Sequence, residues 1–222
     1  MMQPASPAAA SAIVAPPLPP SPLPLDELFA SAGPLEVDVG CGKGRFLLAQ
    51  AAAHPERRFL GIDKRRKRIE KVDRKLRRAG LANVRLLLAE AAGAVEHWLP
   101  PAAVTTFYVF FPDPWPKRRH QRRRLFSPAF LDAVYRTLVP GGRLYFATDD
   151  AAYFAAVRAL FAAQPRFGET APYEPVDAER TEFETTFTRL GKPIHRGGFV
   201  KLPAPAPNAP PPPRSPSPDH RA

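Results

Sequence analysis

Two hydrophobic rhythms alternate along the chain. Short apolar or β-favouring runs lie at Leu35 to Val39, Arg58 to Ile62, Val84 to Leu88, Thr105 to Phe111 and Arg143 to Ala147. Runs of this length bounded by turn residues predict buried strands. Helix-like stretches fall between them, at 43–53, 65–79, 91–99, 127–138 and 151–163. Gly80 closes the second of these in the manner of a C-terminal glycine cap. Ser127-Pro128 opens the fourth, as an N-cap followed by proline in the first helical position. Pro140-Gly141-Gly142 reads as a turn before the fifth strand. Beyond Gln164 the rhythm weakens, with strands predicted near Phe167 to Ala171 and Ile194 to Lys201. Five β–α alternations imply an α/β fold, a mostly parallel seven-stranded sheet with helices on both faces.

The ends of the chain follow neither rhythm. Residues 1–24 are Pro, Ala and Ser-rich, and 203–222 are proline-rich with four consecutive prolines at 210–213. Neither stretch buries enough apolar surface to offset ordering, so both are expected to be disordered tails around one domain at 25–202. The single cysteine, Cys41, excludes an internal disulfide and points to a reducing, cytoplasmic compartment. No apolar run approaches a membrane span, and the N-terminus lacks the basic start of a signal peptide. Lys plus Arg outnumber Asp plus Glu by 32 to 21, a net charge of +11, which favours a polyanionic partner.

Half of those cations sit in two runs. Residues 64–78 hold ten Lys/Arg, interrupted by Ile69, Val72 and Leu76 at helical spacing, so one narrow apolar stripe faces the sheet and the other faces are basic. Residues 117–124 hold six more, directly after Phe110-Phe111-Pro112-Asp113-Pro114-Trp115-Pro116. Each proline there ends strand pairing and disfavours the helical region for the residue before it, which predicts a stiff, extended exit from the strand. One carboxylate and one indole beside a cationic cluster suit a nucleobase held above its phosphates; the same residues also suit a core-covering Trp and a solvated loop.

Acids mark the carboxyl ends of the other strands. Asp38 precedes the loop Gly40-Cys41-Gly42-Lys43-Gly44, whose G-x-G-x-G spacing departs from the dinucleotide fingerprint G-x-G-x-x-G. Asp63 follows the second strand and suits either adenosine ribose hydroxyls or a helix N-cap. Glu90 follows the third strand, as an adenine-side acid or a helix first-turn charge. Asp149-Asp150 ends the fifth strand, again as a ligand-edge carboxylate or an N-cap. Thr181-Glu182-Phe183-Glu184 has the spacing of a capping box, but the residues after it are poor helix formers, so a loop reaching the ligand edge is expected.

The combination Phe111-Pro-Asp-Pro-Trp-Pro-Lys117, Arg119-His120 with Arg122 to Leu125, Ala147-Thr148-Asp149, and Thr181-Glu-Phe-Glu184 with Gly191 resembles the bacterial tRNA (guanine-N7-)-methyltransferase family; the glycine loop and Gly61-Ile62-Asp63 fit it as well. The resemblance covers about 35–201. It implies a Rossmann-like class I methyltransferase fold, S-adenosyl-L-methionine as cofactor, and tRNA as partner, methylated at N7 of a variable-loop guanine. By motif it implies Asp38, Gly40, Gly42, Gly44, Asp63, Glu90 and Asp113 at the cofactor, Asp113 as the catalytic residue, and Lys117, Asp149, Thr181, Glu182, Phe183 and Glu184 at the substrate, with no metal. Three positions depart from the family: Glu90 replaces a common Asp, Asp150 a common Trp, and Thr186 a frequent basic residue. Other readings of the same residues are a methyltransferase for another RNA and a non-catalytic RNA-binding module.

Overall fold

The computed structural model describes residues 10–203. Its spine is one sheet of eight strands: β1 (Ile13–Val14), β2 (Leu35–Val39), β3 (Arg58–Asp63), β4 (Val84–Leu88), β5 (Val104–Phe110), β6 (Leu138–Thr148), β7 (Phe167–Thr170) and β8 (His195–Lys201). They lie in the order β1-β4-β3-β2-β5-β6-β8-β7. The first six in that order run parallel, and β8 is antiparallel to both β6 and β7. The helices are α1 (Leu25–Leu28), α2 (Arg45–Ala53), α3 (Arg66–Ala79), α4 (Ala91–His97), α5 (Pro128–Thr137), α6 (Ala151–Ala162) and α7 (Glu182–Arg189), with a 3-10 turn at Arg118–Arg123.

Strand alternation separates two cores, one on each face. Phe59 of β3 and Leu86 of β4 join α2 and α3 through Leu47, Ala51, Ile69, Val72 and Leu76. Their neighbours Leu60, Ile62 and Leu87 turn to the other face, where α4, α5 and α6 pack. The same alternation in β2 sends Leu35, Val37 and Val39 into that second core. Glu36 and Asp38 therefore face the α2 side, and both are buried. Glu36 is held there by Arg57 at 2.9 Å and by the Tyr108 hydroxyl at 2.9 Å.

Three expectations are corrected. The sheet has eight strands, because residues 10–24, expected to be disordered, are ordered against the domain. Ile13 and Val14 pair with Leu86 and Leu87, the Ala12 amide donates to Asp73 Oδ1 at 2.7 Å, and Leu23 enters the main core. A few apolar residues suffice because they add to a sheet edge and a core already formed. The 1–9 and 204–222 portions of the expected tails lie outside the described residues. Second, β6 starts at Leu138 and runs through Pro140-Gly141-Gly142, absorbing them as a register shift against β5. Third, the segment after Thr181 is helical. Thr181 accepts from the Glu184 amide at 3.1 Å, and this N-cap outweighs the weak helix propensity behind it; the reciprocal half of the capping box is not formed, because the Glu184 carboxylate pairs with Arg196.

Candidate functional site: a cleft at the sheet switch point

Strand order reverses between β2 and β5, since β2 leads outward to β3 and β5 outward to β6. Ligands of open α/β sheets bind outside the strand carboxyl ends at such a point. The two most distinctive motifs of the chain leave those two strands: the glycine loop follows β2 and the Pro-Asp-Pro-Trp segment follows β5. Between them lies a cleft of ≈ 630 Å³, within the range of small-molecule sites.

The glycine loop is pinned before it turns. The Gly40 and Cys41 amides both donate to the Ile62 carbonyl, at 2.8 and 3.0 Å. Gly40, Gly42 and Gly44 take φ of 83, 57 and 75°, a region that favours glycine. Open space faces Gly40, whereas a Cβ at Gly44 would stand 2.8 Å from both Val72 methyls. Gly40 and Gly42 thus line the cleft, while Gly44 lies behind it and lets α2 pack on α3.

Asp63 fixes the glycine loop rather than capping a helix: the N-cap of α3 is Arg65, which has no side-chain cap bond. Asp63 Oδ2 accepts from the Gly42 amide at 3.1 Å and its Oδ1 from the Arg65 amide at 2.8 Å, while Arg68 approaches at 3.4 Å. It holds the loop and still lines the cleft; a carboxylate has lone pairs for further donors. Glu90 does cap a helix, α4, through the Ala92 and Gly93 amides at 2.9 and 3.2 Å, while lining the cleft. Asp38 has no salt-bridge partner among the described residues. Burial, then the charges of Asp63 and Glu182, push its carboxyl up from 3.8 to about 8. Burial with Asp38 and Asp63 also raises the Cys41 thiol. A buried carboxylate short of a cation, beside a backbone open to close approach, fits a ligand that carries sulfonium and ammonium charges, such as S-adenosylmethionine.

The opposite wall comes from the segment after β5 and from α7. Asp113 stands exposed at the cleft rim, with Trp115 half-buried beside it. The predicted extended exit from the strand is wrong in detail. Phe111 and Trp115 take φ of 54 and 43°, left-handed values costing of order 1–3 kcal/mol each for non-glycine residues. Contacts on both sides hold the turn. Arg124 Nε donates to the Pro114 carbonyl at 2.7 Å, and its guanidinium lies 4.8 Å from the centre of the Tyr153 ring. Arg123, named in the sequence only as part of the basic run, lines the cleft and lies 5.1 Å from the Trp115 ring.

Among the substrate candidates, Thr181, Glu182 and Phe183 line the cleft. Three others do not. Glu184 is buried and ion-paired to Arg196. Asp149 pairs with Lys192 at 3.2 Å. Lys117 is exposed at the start of the 3-10 turn. Arg45 and Phe46, absent from the sequence candidates, do line the cleft; their position directly after Gly44 is the available signal.

The fold fixes the class first. The chain is similar in structure to the 16S rRNA methyltransferase KamB, with a TM-score of 0.61, 20% identity, and coverage of 81% of this chain and 93% of that one. A Thermotoga maritima S-adenosylmethionine-dependent O-methyltransferase gives 0.55 at 17% identity, covering 79% and 62%. This is the class I methyltransferase fold. The family described as "Putative methyltransferase" matches residues 32–197. The tRNA (guanine-N(7)-)-methyltransferase of Halorhodospira halophila is 40% identical over 77% of this chain and 76% of its own length. That of Rubrobacter xylanophilus is 35% identical over 79% and 80%. The chain belongs to the tRNA (guanine-N7-)-methyltransferase family.

Proposed function

We propose that this protein methylates N7 of a guanine in the variable loop of tRNA, with S-adenosylmethionine as methyl donor. The observation that carries the reading is that Asp113 and the glycine loop, 69 residues apart from Gly44 in sequence, meet at one cleft. Asp38, Asp63 and Glu90 would hold the cofactor, which supplies an electrophilic methyl group when bound. Guanine N7 presents an in-plane lone pair, so no proton must leave before attack, and a strong base is not required. The work of the chain is then positioning and charge. Orientation of reacting groups is worth roughly 7–11 kcal/mol in favourable cases. Positive charge grows on the purine as the methyl arrives, and the Asp113 carboxylate at the rim stabilises it or accepts from guanine N1–H and N2–H. Trp115, backed by Arg123, offers a ring against the base, worth about 1–3 kcal/mol in single-strand binders.

The basic elements account for the polymer. No residue of Arg118–Arg123 is buried. Of the ten cations at 64–78, Arg68 and Arg77 make salt bridges among the described residues. α3 starts at the cleft, where Lys64, Arg65 and Arg68 line it, and its 14 residues carry the charge about 21 Å away. Phosphates along that ridge would position the RNA without reading its bases.

The test is nucleoside mass spectrometry of bulk tRNA lacking the modification, after incubation with the enzyme and methyl-labelled cofactor. Labelled 7-methylguanosine at a variable-loop position is the expected product. Label in another nucleoside or another RNA would replace the substrate, and cofactor-independent RNA binding with no label would leave a binding module.

A further inference from the structure

α7 is a wall shared by both ligands. Its N-cap Thr181 and first residue Glu182 line the cleft together with Asp38, and Phe183 and Thr186 continue the same wall outward. Little packing secures it: Glu184 is its one buried residue, and Phe183 is 51% exposed. Polar ties add to the Phe187–Phe111 ring contact at 5.6 Å. Arg45, the first residue of α2 after the glycine loop, donates to Thr185 Oγ1 at 2.9 Å and to the Asp177 carbonyl at 2.8 Å. On the far side Arg196 pairs with both Glu184 and Glu174.

The two links from α7 toward the cofactor side differ. Arg45, itself a lining residue, attracts. Glu182 is a second acid lining the same cleft as Asp38, and its charge is among those that favour the neutral Asp38 carboxyl. A cation placed in the cleft between Asp38 and Glu182 would favour the ionised Asp38, leaving two carboxylates around one positive group. The ligand argued for above carries such charges. Its presence would then tighten α7 against the cleft, and α7 carries the Phe183 and Thr186 side chains at the outer rim.

Resting on the functional reading above, we propose that Glu182 is a cofactor-side residue completing the cation-binding face of the cleft, and that Glu182 and Arg45 couple cofactor occupancy to RNA binding by fixing α7. The coupling is positive and, by linkage, equal in both directions. With two charged contacts at a partly open rim, a factor of about 5–10 is expected, at the low end of typical couplings.

The experiment measures tRNA-transcript affinity by fluorescence anisotropy, with and without saturating sinefungin, an analogue whose amine replaces the sulfonium and which transfers no methyl group. Calorimetry measures sinefungin affinity with and without RNA. In the wild type both factors should agree at about 5–10. Glu182→Gln should weaken sinefungin binding and bring the factor below about 2. Arg45→Met should lower the factor because Thr185 and Asp177 are left without their donor. Sinefungin binding with no change in RNA affinity, or full coupling retained in Glu182→Gln, would overturn the proposal. Absence of sinefungin binding in the wild type would instead overturn the functional reading beneath it.

Discussion

The two halves of the cleft are built differently. The β2–β3 half is buried and over-determined. Its loop amides are fixed by the Ile62 carbonyl and Asp63, Gly44 packs against Val72, and Asp38 is buried. The β5–α7 half is exposed. Asp113 and most residues of the 3-10 turn stand in solvent, two left-handed residues shape it, and single side chains such as Arg124 and Arg45 tie it down. The contrast matches the ligands. A small cofactor of fixed covalent structure is best met by preorganised acids, whereas a long polyanion is met by many individually weak charges and a rim that adjusts.

The sharpest way to break this comparison is at Asp113. If the exposed half supplies the chemistry, Asp113→Ala should lower the single-turnover methyl-transfer rate by about 10²–10³-fold, the scale expected when a charge-stabilising group is removed. Cofactor affinity should stay within about twofold, because binding energy would reside in the other half. Single-turnover measurement with calorimetry separates the two; an unchanged rate would remove Asp113 from the reaction.

The next effect belongs to the buried half. Asp38 titrates at about 8 when the cleft holds no cation, and a cationic ligand binds its ionised form. Cofactor affinity should therefore rise about tenfold as pH goes from 7 to well above 8, and Asp38→Asn should bind weakly and show no such dependence. Stability carries the opposite sign. The folded-state value lies above the unfolded 3.8, so the ligand-free protein loses stability as pH rises from about 4 through about 8. Asp38→Asn should remove that loss, with a melting temperature above the wild type at pH 8 and close to it at pH 4. Thermal melts across that range check the sign.

How much of this is legible in the sequence follows the same division. The β-then-turn-then-α pattern around Asp38 and Asp63 is local, so glycine spacing and strand ends place both acids at the cleft. The α3 stripe of Ile69, Val72 and Leu76 is buried as its periodicity implies. The outer wall depends on contacts distant in sequence. Nothing near Glu184 announces Arg196, and nothing near Asp149 announces Lys192, so both acids look free for substrate and are paired within the fold. Arg45 acquires its role only because α7 returns to it across 140 residues. The edge strand β1 is illegible for the same reason: two apolar residues in a proline-rich stretch carry no periodic signal until β4 offers them a partner.

The exposed half should show its character in salt dependence. Replacing Arg118, Arg119 and Arg122 with Gln removes cations whose guanidinium groups make no salt bridge among the described residues; Arg119 alone of the three donates a hydrogen bond, to His120 at 3.3 Å. RNA affinity should fall several-fold, and the slope of log affinity against log salt should lessen by about 1 for each phosphate no longer neutralised. Cofactor affinity should not move. An unaltered slope would mean that this turn does not meet phosphate.

The smallest effect tests whether the buried half extends to the N-terminal arm. Asp73 of α3 is buried, accepts from the Ala12 amide and from the Ser11 hydroxyl at 3.2 Å, and pairs with Arg77 at 3.1 Å. Its neighbour Val72 is the residue on which Gly44 packs. α3 thus presses the glycine loop with one side chain and anchors β1 with the next. Asp73→Ala should cost about 1.5–3 kcal/mol, the range for a hydrogen bond to a charged group, which for a domain of this size lowers the melting temperature by about 3–12 °C. The amides paired across β1 and β4 should exchange faster with solvent hydrogen, while cofactor affinity holds. A change in cofactor affinity without loss of stability would show instead that the arm sets the glycine loop through α3, and the rigid half of the cleft would then begin at residue 11.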